Sequence, residues 1–123
     1  MGYDRHYAIV VTSWSEPRTI EAHDKATELG MIVTPVTATP LNGYNSFMVC
    51  PDGSKRGWPE AAKGDKQRQA FIDWLENGAL RDDGSYLKWA EVQYGDDDRQ
   101  TLVTRSNEEI DRVAYLRETS LAN

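Results

Sequence analysis

The sequence predicts an α+β domain built on an antiparallel sheet, and three observations predict it. Periodic segments come in the order strand, helix, strand, strand, helix, strand, followed by a further strand and helix. Two of the strand segments, His6 to Trp14 and Asn45 to Cys50, are apolar on both alternating faces, the pattern of strands inside a sheet. The second and third strands are joined by Leu41-Asn42-Gly43-Tyr44, whose Asn-Gly pair is a strong short-range signal for a hairpin.

The elements follow in order. In His6 to Trp14, Ala8, Val10 and Trp14 alternate with Tyr7, Ile9 and Val11. Ser13 or Ser15 can cap the next helix, Pro17 suits its first turn, Ile20, Ala22, Ala26 and Leu29 give its apolar stripe, and Gly30 ends it. Met31 to Thr39 is β-branched, but Pro35 and Pro40 remove ladder donors, which places that strand at a sheet edge. After Asn45 to Cys50, Pro51 to Ser54 is a turn and Ser54 to Trp58 a short continuation of the hairpin.

Trp58-Pro59-Glu60 opens a helical turn, which Gly64-Asp65 interrupts before a fresh helix start. Phe71, Trp74 and Leu75 form the apolar face of this second helix, which stops at Asn77-Gly78. Arg81 to Ser85 is a loop, Tyr86 to Tyr94 a strand, Asp96 to Asp98 a turn, and Gln100 to Arg105 the extra strand. Ser106 with Glu109 makes a capping box ahead of Ile110, Val113, Ala114 and Leu116.

The first six elements follow the βαββαβ order of a ferredoxin-like fold, so residues 1–123 are read as a single ferredoxin-like domain with an extra C-terminal strand and helix. That topology puts the first and third strands in the middle, and these are the two fully apolar segments. The expected core is Ile9, Val11, Phe47, Val49, Phe71, Trp74, Leu75, Trp89 and Val92. With both helices on one face, a homodimer is one way to cover the other.

Composition narrows the function classes. At 123 residues and 39% hydrophobic, the chain has the size and apolar content of one folded domain. Fourteen Lys and Arg against twenty Asp and Glu leave a net charge of −6, which disfavours nonspecific binding to nucleic acid or to an anionic membrane. Lys55, Arg56, Lys63, Lys66 and Arg68 nevertheless cluster within fourteen residues. A lone Cys50 excludes an internal disulfide and points to a reducing cytoplasm. No apolar run approaches the ~18 residues of a membrane span, and the first residues lack the pattern of a signal peptide.

Catalytic and metal motifs are not legible. His6 opens a strand and His23 lies on a charged helix with Glu21 and Asp24 nearby, without the orienting partner and nucleophile that histidine catalysis needs. The sequence lacks the paired HxT or HxS motifs of two-histidine phosphoesterases, and any HExxH, P-loop, GxGxxG or GxSxG pattern. Asp96, Asp97 and Asp98, and the pair Asp82 and Asp83, read as solvated turns. No metal site, cofactor or catalytic residue is assigned.

The ligand candidate is Asp52 to Pro59, where Lys55, Arg56 and Trp58 reach a helix entrance. A base could stack on Trp58 while phosphates meet Lys55 and Arg56, with Asn42 and Tyr44 of the neighbouring hairpin contributing. The competing reading is a surface turn whose indole packs into the core.

The stretches YDRHYAIVVTSW (3–14) and NGYNSFMVCPDGSKRGWPEAAKGDKQRQAFIDWL (42–75) resemble those of small uncharacterised accessory proteins of tailed phages and prophages. The resemblance carries over no functional residue. It implies a setting in the host bacterial cytoplasm, where such proteins counter host defence by sequestering a nucleotide signal or by occupying a host protein. Two classes stay open. One is a non-enzymatic binder, of a nucleotide-like anion or of a host protein through an acidic surface. The other is a small metal-independent phosphodiesterase using His6 or His23, disfavoured because no convergent set of acid, base and stabiliser is visible.

Overall fold

The computed structural model describes residues 5–77, 87–95 and 101–107. They form strand β1 (His6–Ser13), helix α1 (Glu16–Glu28), strands β2 (Thr37–Ala38) and β3 (Asn45–Val49), helix α2 (Pro59–Asn77), and strands β4 (Lys88–Tyr94) and β5 (Leu102–Ser106). The five strands make one antiparallel sheet in the order β2-β3-β1-β4-β5. The architecture is α+β, and β1 and β3 are interior, where their two-sided apolar character requires them.

Register explains the core. Ile9 lies opposite Val49 on one side and Glu91 on the other, and Val11 lies opposite Phe47 and Trp89. Because side chains alternate along a strand, these residues share one face. Both helices cover that face: Ala22 and Ala26 from α1, and Phe71, Ile72 and Leu75 from α2, join the same buried cluster. The opposite face carries Ala8, which is buried, Val10, which is 42% exposed, and a hydrogen bond of 2.8 Å between the Thr12 and Ser46 hydroxyls.

Two expected core members are placed differently. Val92 is half-buried and pairs with Ala8 on the other face, since an even step separates it from Ala90 and an odd one from Trp89. Trp74 is half-buried and packs on the cluster from outside, its ring stacked near that of Phe71 with centroids 6.2 Å apart.

In α1, Ser15 is the N-cap: its Oγ accepts from the Arg18 N–H, while Ser13 Oγ accepts from the Ser15 N–H. Both candidate serines therefore serve this start. The buried stripe runs through Thr19, Ala22 and Ala26, and Ile20 is 41% exposed. Residues 19, 22 and 26 share a helix face, whereas position 20 is rotated ~100° from position 19. Thr19 enters the core because its hydroxyl is satisfied by the Ser15 carbonyl at 2.9 Å.

The end of α1 is a Schellman motif. The Gly30 N–H donates to the Thr27 carbonyl and the Met31 N–H to the Ala26 carbonyl, with Gly30 at φ +81°. The Leu29 carbonyl accepts from Gln67 Nε2 of α2 at 2.9 Å, which ties the two helices together. A Cβ at Gly30 would lie 3.2 Å from that nitrogen and in a left-handed conformation. Gly30→Ala should therefore cost about 1–2 kcal/mol in urea denaturation, and an unchanged midpoint would mean the cap is dispensable.

Met31 to Thr39 does run along the sheet edge, but as a two-residue strand rather than nine. The Thr34 N–H reaches the Met48 carbonyl, Val33 bridges Val49, and the ladder resumes only at Thr37, beyond Pro35. Asn42 and Gly43 turn the hairpin with φ of 60° and 66°, the Asn-Gly geometry that matches strand twist.

Two more expectations are corrected. Ser54 to Trp58 is not a strand: Asp52 Oδ1 accepts from both the Ser54 N–H and its hydroxyl, at 2.8 and 2.6 Å, and the Trp58 N–H donates to the Lys55 carbonyl, so the segment folds on itself. Helix α2 runs unbroken through Gly64. Interior glycine costs about 1 kcal/mol of helix propensity, and here it leaves room for Asp52 and Arg68. At the far end of the sheet, the Asn107 amide accepts from the Trp89 N–H and donates to the Leu87 carbonyl, each at 3.0 Å, and so fastens β5 to β4. The expected Arg81 to Ser85 loop, the Asp82–Asp83 pair, the Asp96 to Asp98 turn and the capping-box helix after Ser106 lie outside the described residues.

Candidate functional site

A cleft of about 510 Å³ opens where β1 begins, β3 ends and α2 starts. Its walls include Tyr7 of β1, Cys50 to Asp52 after β3, Met31 and Ile32 after α1, and the first turns of α2 from Trp58 to Arg68. The antiparallel pairing of β1 with β3 brings the start of one strand beside the end of the other, and the β3–α2 loop then closes the third side.

Trp58 is 48% exposed at this cleft. The indole does not pack into the core as a helix staple. Arg56 also lines the cleft, whereas Lys55, one residue earlier in the turn, is not among its walls. Asn42 and Tyr44 stand at the other end of β3, which at five residues spans about 17 Å. The structure thus brings together Arg56 and Trp58 and leaves Asn42 and Tyr44 apart from them.

Under the cleft sits a charged cluster. The Arg68 guanidinium lies 4.2 Å from the centroid of the Tyr7 ring, pairs with Asp65, and places Nε 3.2 Å from Glu91 Oε2. Tyr7 in turn donates its hydroxyl to Gln93 Oε1 at 3.0 Å. Glu91, 2% exposed, is gripped across the β4–β5 ladder by Arg105, with Nε and Nη2 donating to its two oxygens at 2.9 and 3.0 Å. Thr104 adds a hydrogen bond of 2.7 Å, and Arg105 Nη1 continues to Gln69 of α2 at 2.7 Å.

Burial pushes the Glu91 carboxyl up, but hydrogen bonds from Arg105 and Thr104 and the charges of Arg105 and Arg68 outweigh it and hold the group below its ordinary range. Asp52 follows the same balance: desolvation raises it, while Ser54 and the charge of Arg68 bring it below its usual value. A Cβ on Gly64 would meet Asp52 Oδ2 at 3.3 Å and Arg68 Nη1 at 3.4 Å, so these two side chains cross the helix where it has no side chain of its own.

His23 serves a structural contact, its Nε2–H donating to the Thr34 carbonyl at 3.0 Å and its ring meeting Phe47 edge-on. His6 packs against Tyr94, with ring centroids 5.4 Å apart. Cys50 is a free, half-buried thiol. From the sequence, Arg68 stands out only as one of the basic cluster and Tyr7 only as a strand residue, and Glu91 and Arg105 carry no assignment to a site. The available signal is Glu91 itself, a carboxylate two residues from Trp89 and so on the same face of its strand.

Chemically, the cleft offers guanidinium and ammonium donors beside an open aromatic plane. No helix among the described residues is long and apolar enough to cross a membrane. Compared with protein-family models, curated proteins and solved structures, the chain has no match.

Proposed function

We propose that the protein is a non-enzymatic binder of a small nucleotide-like anion, held in the cleft between Arg56 and Trp58. The observation that carries this reading is the half-exposed indole at the mouth of a concave site lined by cations. A large aromatic left in water is a surface that a stacked base would cover, and the neighbouring guanidinium supplies the charge a phosphate needs. The setting proposed for this activity is that of a phage-type accessory protein in the host cytoplasm, sequestering a nucleotide signal of host defence. The strand order β2-β3-β1-β4 supports reading the domain as ferredoxin-like, with β5 added at the edge.

Calorimetry against a panel of nucleotides tests the binding, with mass spectrometry of the same mixtures to detect turnover. Trp58→Ala should weaken binding by about 1–3 kcal/mol, the usual worth of one base stack. Arg56→Ala should weaken it and flatten its salt dependence, whereas Lys55→Ala should act only through salt-dependent attraction. A wild-type protein that retains no nucleotide would move the reading to a host-protein partner, and a changed ligand mass would establish the phosphodiesterase alternative.

A further inference from the structure

We infer that the cleft takes a nucleotide bearing one phosphate group and discriminates against the triphosphate of the same base. This deepens the proposed binding function and rests on it. What selects the ligand's charge is the cleft charge left over once existing ion pairs are set aside. Arg68 is already committed to Asp65 and Glu91, and Arg5 has interactions of its own. Among the described residues, Arg56 and Lys63 are cleft cations that pair with no acid.

Three carboxylates line the same walls: Asp65, which pairs with Arg68, and Asp52 and Glu60. Asp52 is held in its ionised form by Ser54 and Arg68, so it stays negative when a ligand arrives. A single phosphate, at close to two negative charges near neutral pH, is matched by Arg56 and Lys63. Each further phosphate adds a negative charge for which the described cleft walls hold no further unpaired cation, and brings it towards Asp52 and Glu60. Asp52, Arg56, Glu60 and Lys63 are all exposed, so these like-charge contacts are screened by salt and the discrimination is strongest at low ionic strength. The volume of about 510 Å³ is also within the range of sites that enclose one small ligand.

The experiment is calorimetry in EDTA, repeated with magnesium, using AMP, GMP, CMP and UMP beside the four matching triphosphates. The tightest monophosphate should bind at least tenfold more tightly than its triphosphate in both buffers. Glu60→Gln should narrow that ratio severalfold by improving the triphosphate, with an unchanged melting temperature showing that the fold is intact. Arg56→Ala and Lys63→Ala should each weaken the monophosphate. Equal or tighter binding of the triphosphate overturns the inference while leaving the binding function standing, as does a ratio that Glu60→Gln leaves unchanged. Failure of all eight nucleotides to bind removes both.

Discussion

Replacing Glu91 with alanine should cost about 3–5 kcal/mol of folding stability, because it removes the buried carboxylate that two arginines share, leaving Arg105 without its ion-pair partner and Arg68 with Asp65 alone. Glu91 is 2% exposed and accepts from Arg105 and Thr104 while facing Arg68. The cost is a cost of breaking the pair, so Arg105→Ala, which strands the buried carboxylate, should also be severe. Urea denaturation at neutral pH measures both. A loss under 1 kcal/mol for Glu91→Ala would show that the arginines relax to solvent freely and that the network is ornamental to folding.

The same cluster sets an acid dependence. The folded-state value of Glu91 lies below its ordinary 4.5, so the unfolded chain binds a proton more readily than the folded one. The stabilisation is therefore fully present above about the unfolded carboxylate value and is lost as pH falls through the folded one. Wild type should lose stability more steeply than Glu91→Ala on going from neutral pH into that acid window. Parallel acid profiles would assign the effect to other carboxylates.

The network also shows which parts of the molecule could be read from sequence. The interior positions of β1 and β3 were legible because a strand paired on both sides shows apolar residues at successive positions. The edge position of β2 was legible from Pro35 and Pro40, which cannot donate to a ladder. The unbroken α2 was not, because local propensity at Gly64 speaks for a break and only the tertiary approach of Asp52, beside Arg68 one turn further along the helix, gives a glycine there a use.

The candidate site divides along the same line. Arg56 and Trp58 are close in sequence within one turn, so their proximity was readable. Asn42 and Tyr44 look near them along the chain, but a strand intervenes and carries them to its opposite end. Arg68, Tyr7 and Glu91 come from α2, β1 and β4, and only register and helix placement join them. Strand parity contained half of this: Glu91 and Trp89 share a face, which marks Glu91 as a carboxylate in need of a partner.

The second half of α2 should bear the other large effect. Phe71 is fully buried between the helices and the sheet, and Phe71→Ala should cost about 3–5 kcal/mol, the loss of a large apolar transfer term together with the cavity left behind. Trp74 offers the internal comparison. It is half-buried and packs on the core cluster beside Phe71, so Trp74→Ala should cost less despite the larger side chain removed. Urea midpoints measured with unchanged slopes would assign both differences to stability rather than to a more compact denatured state. Phe71 anchors the same helix whose first turns form the cleft wall. A Phe71→Ala protein that kept its midpoint would place that anchor elsewhere, and a Trp74→Ala cost above that of Phe71→Ala would reverse the order of burial on which this packing account rests.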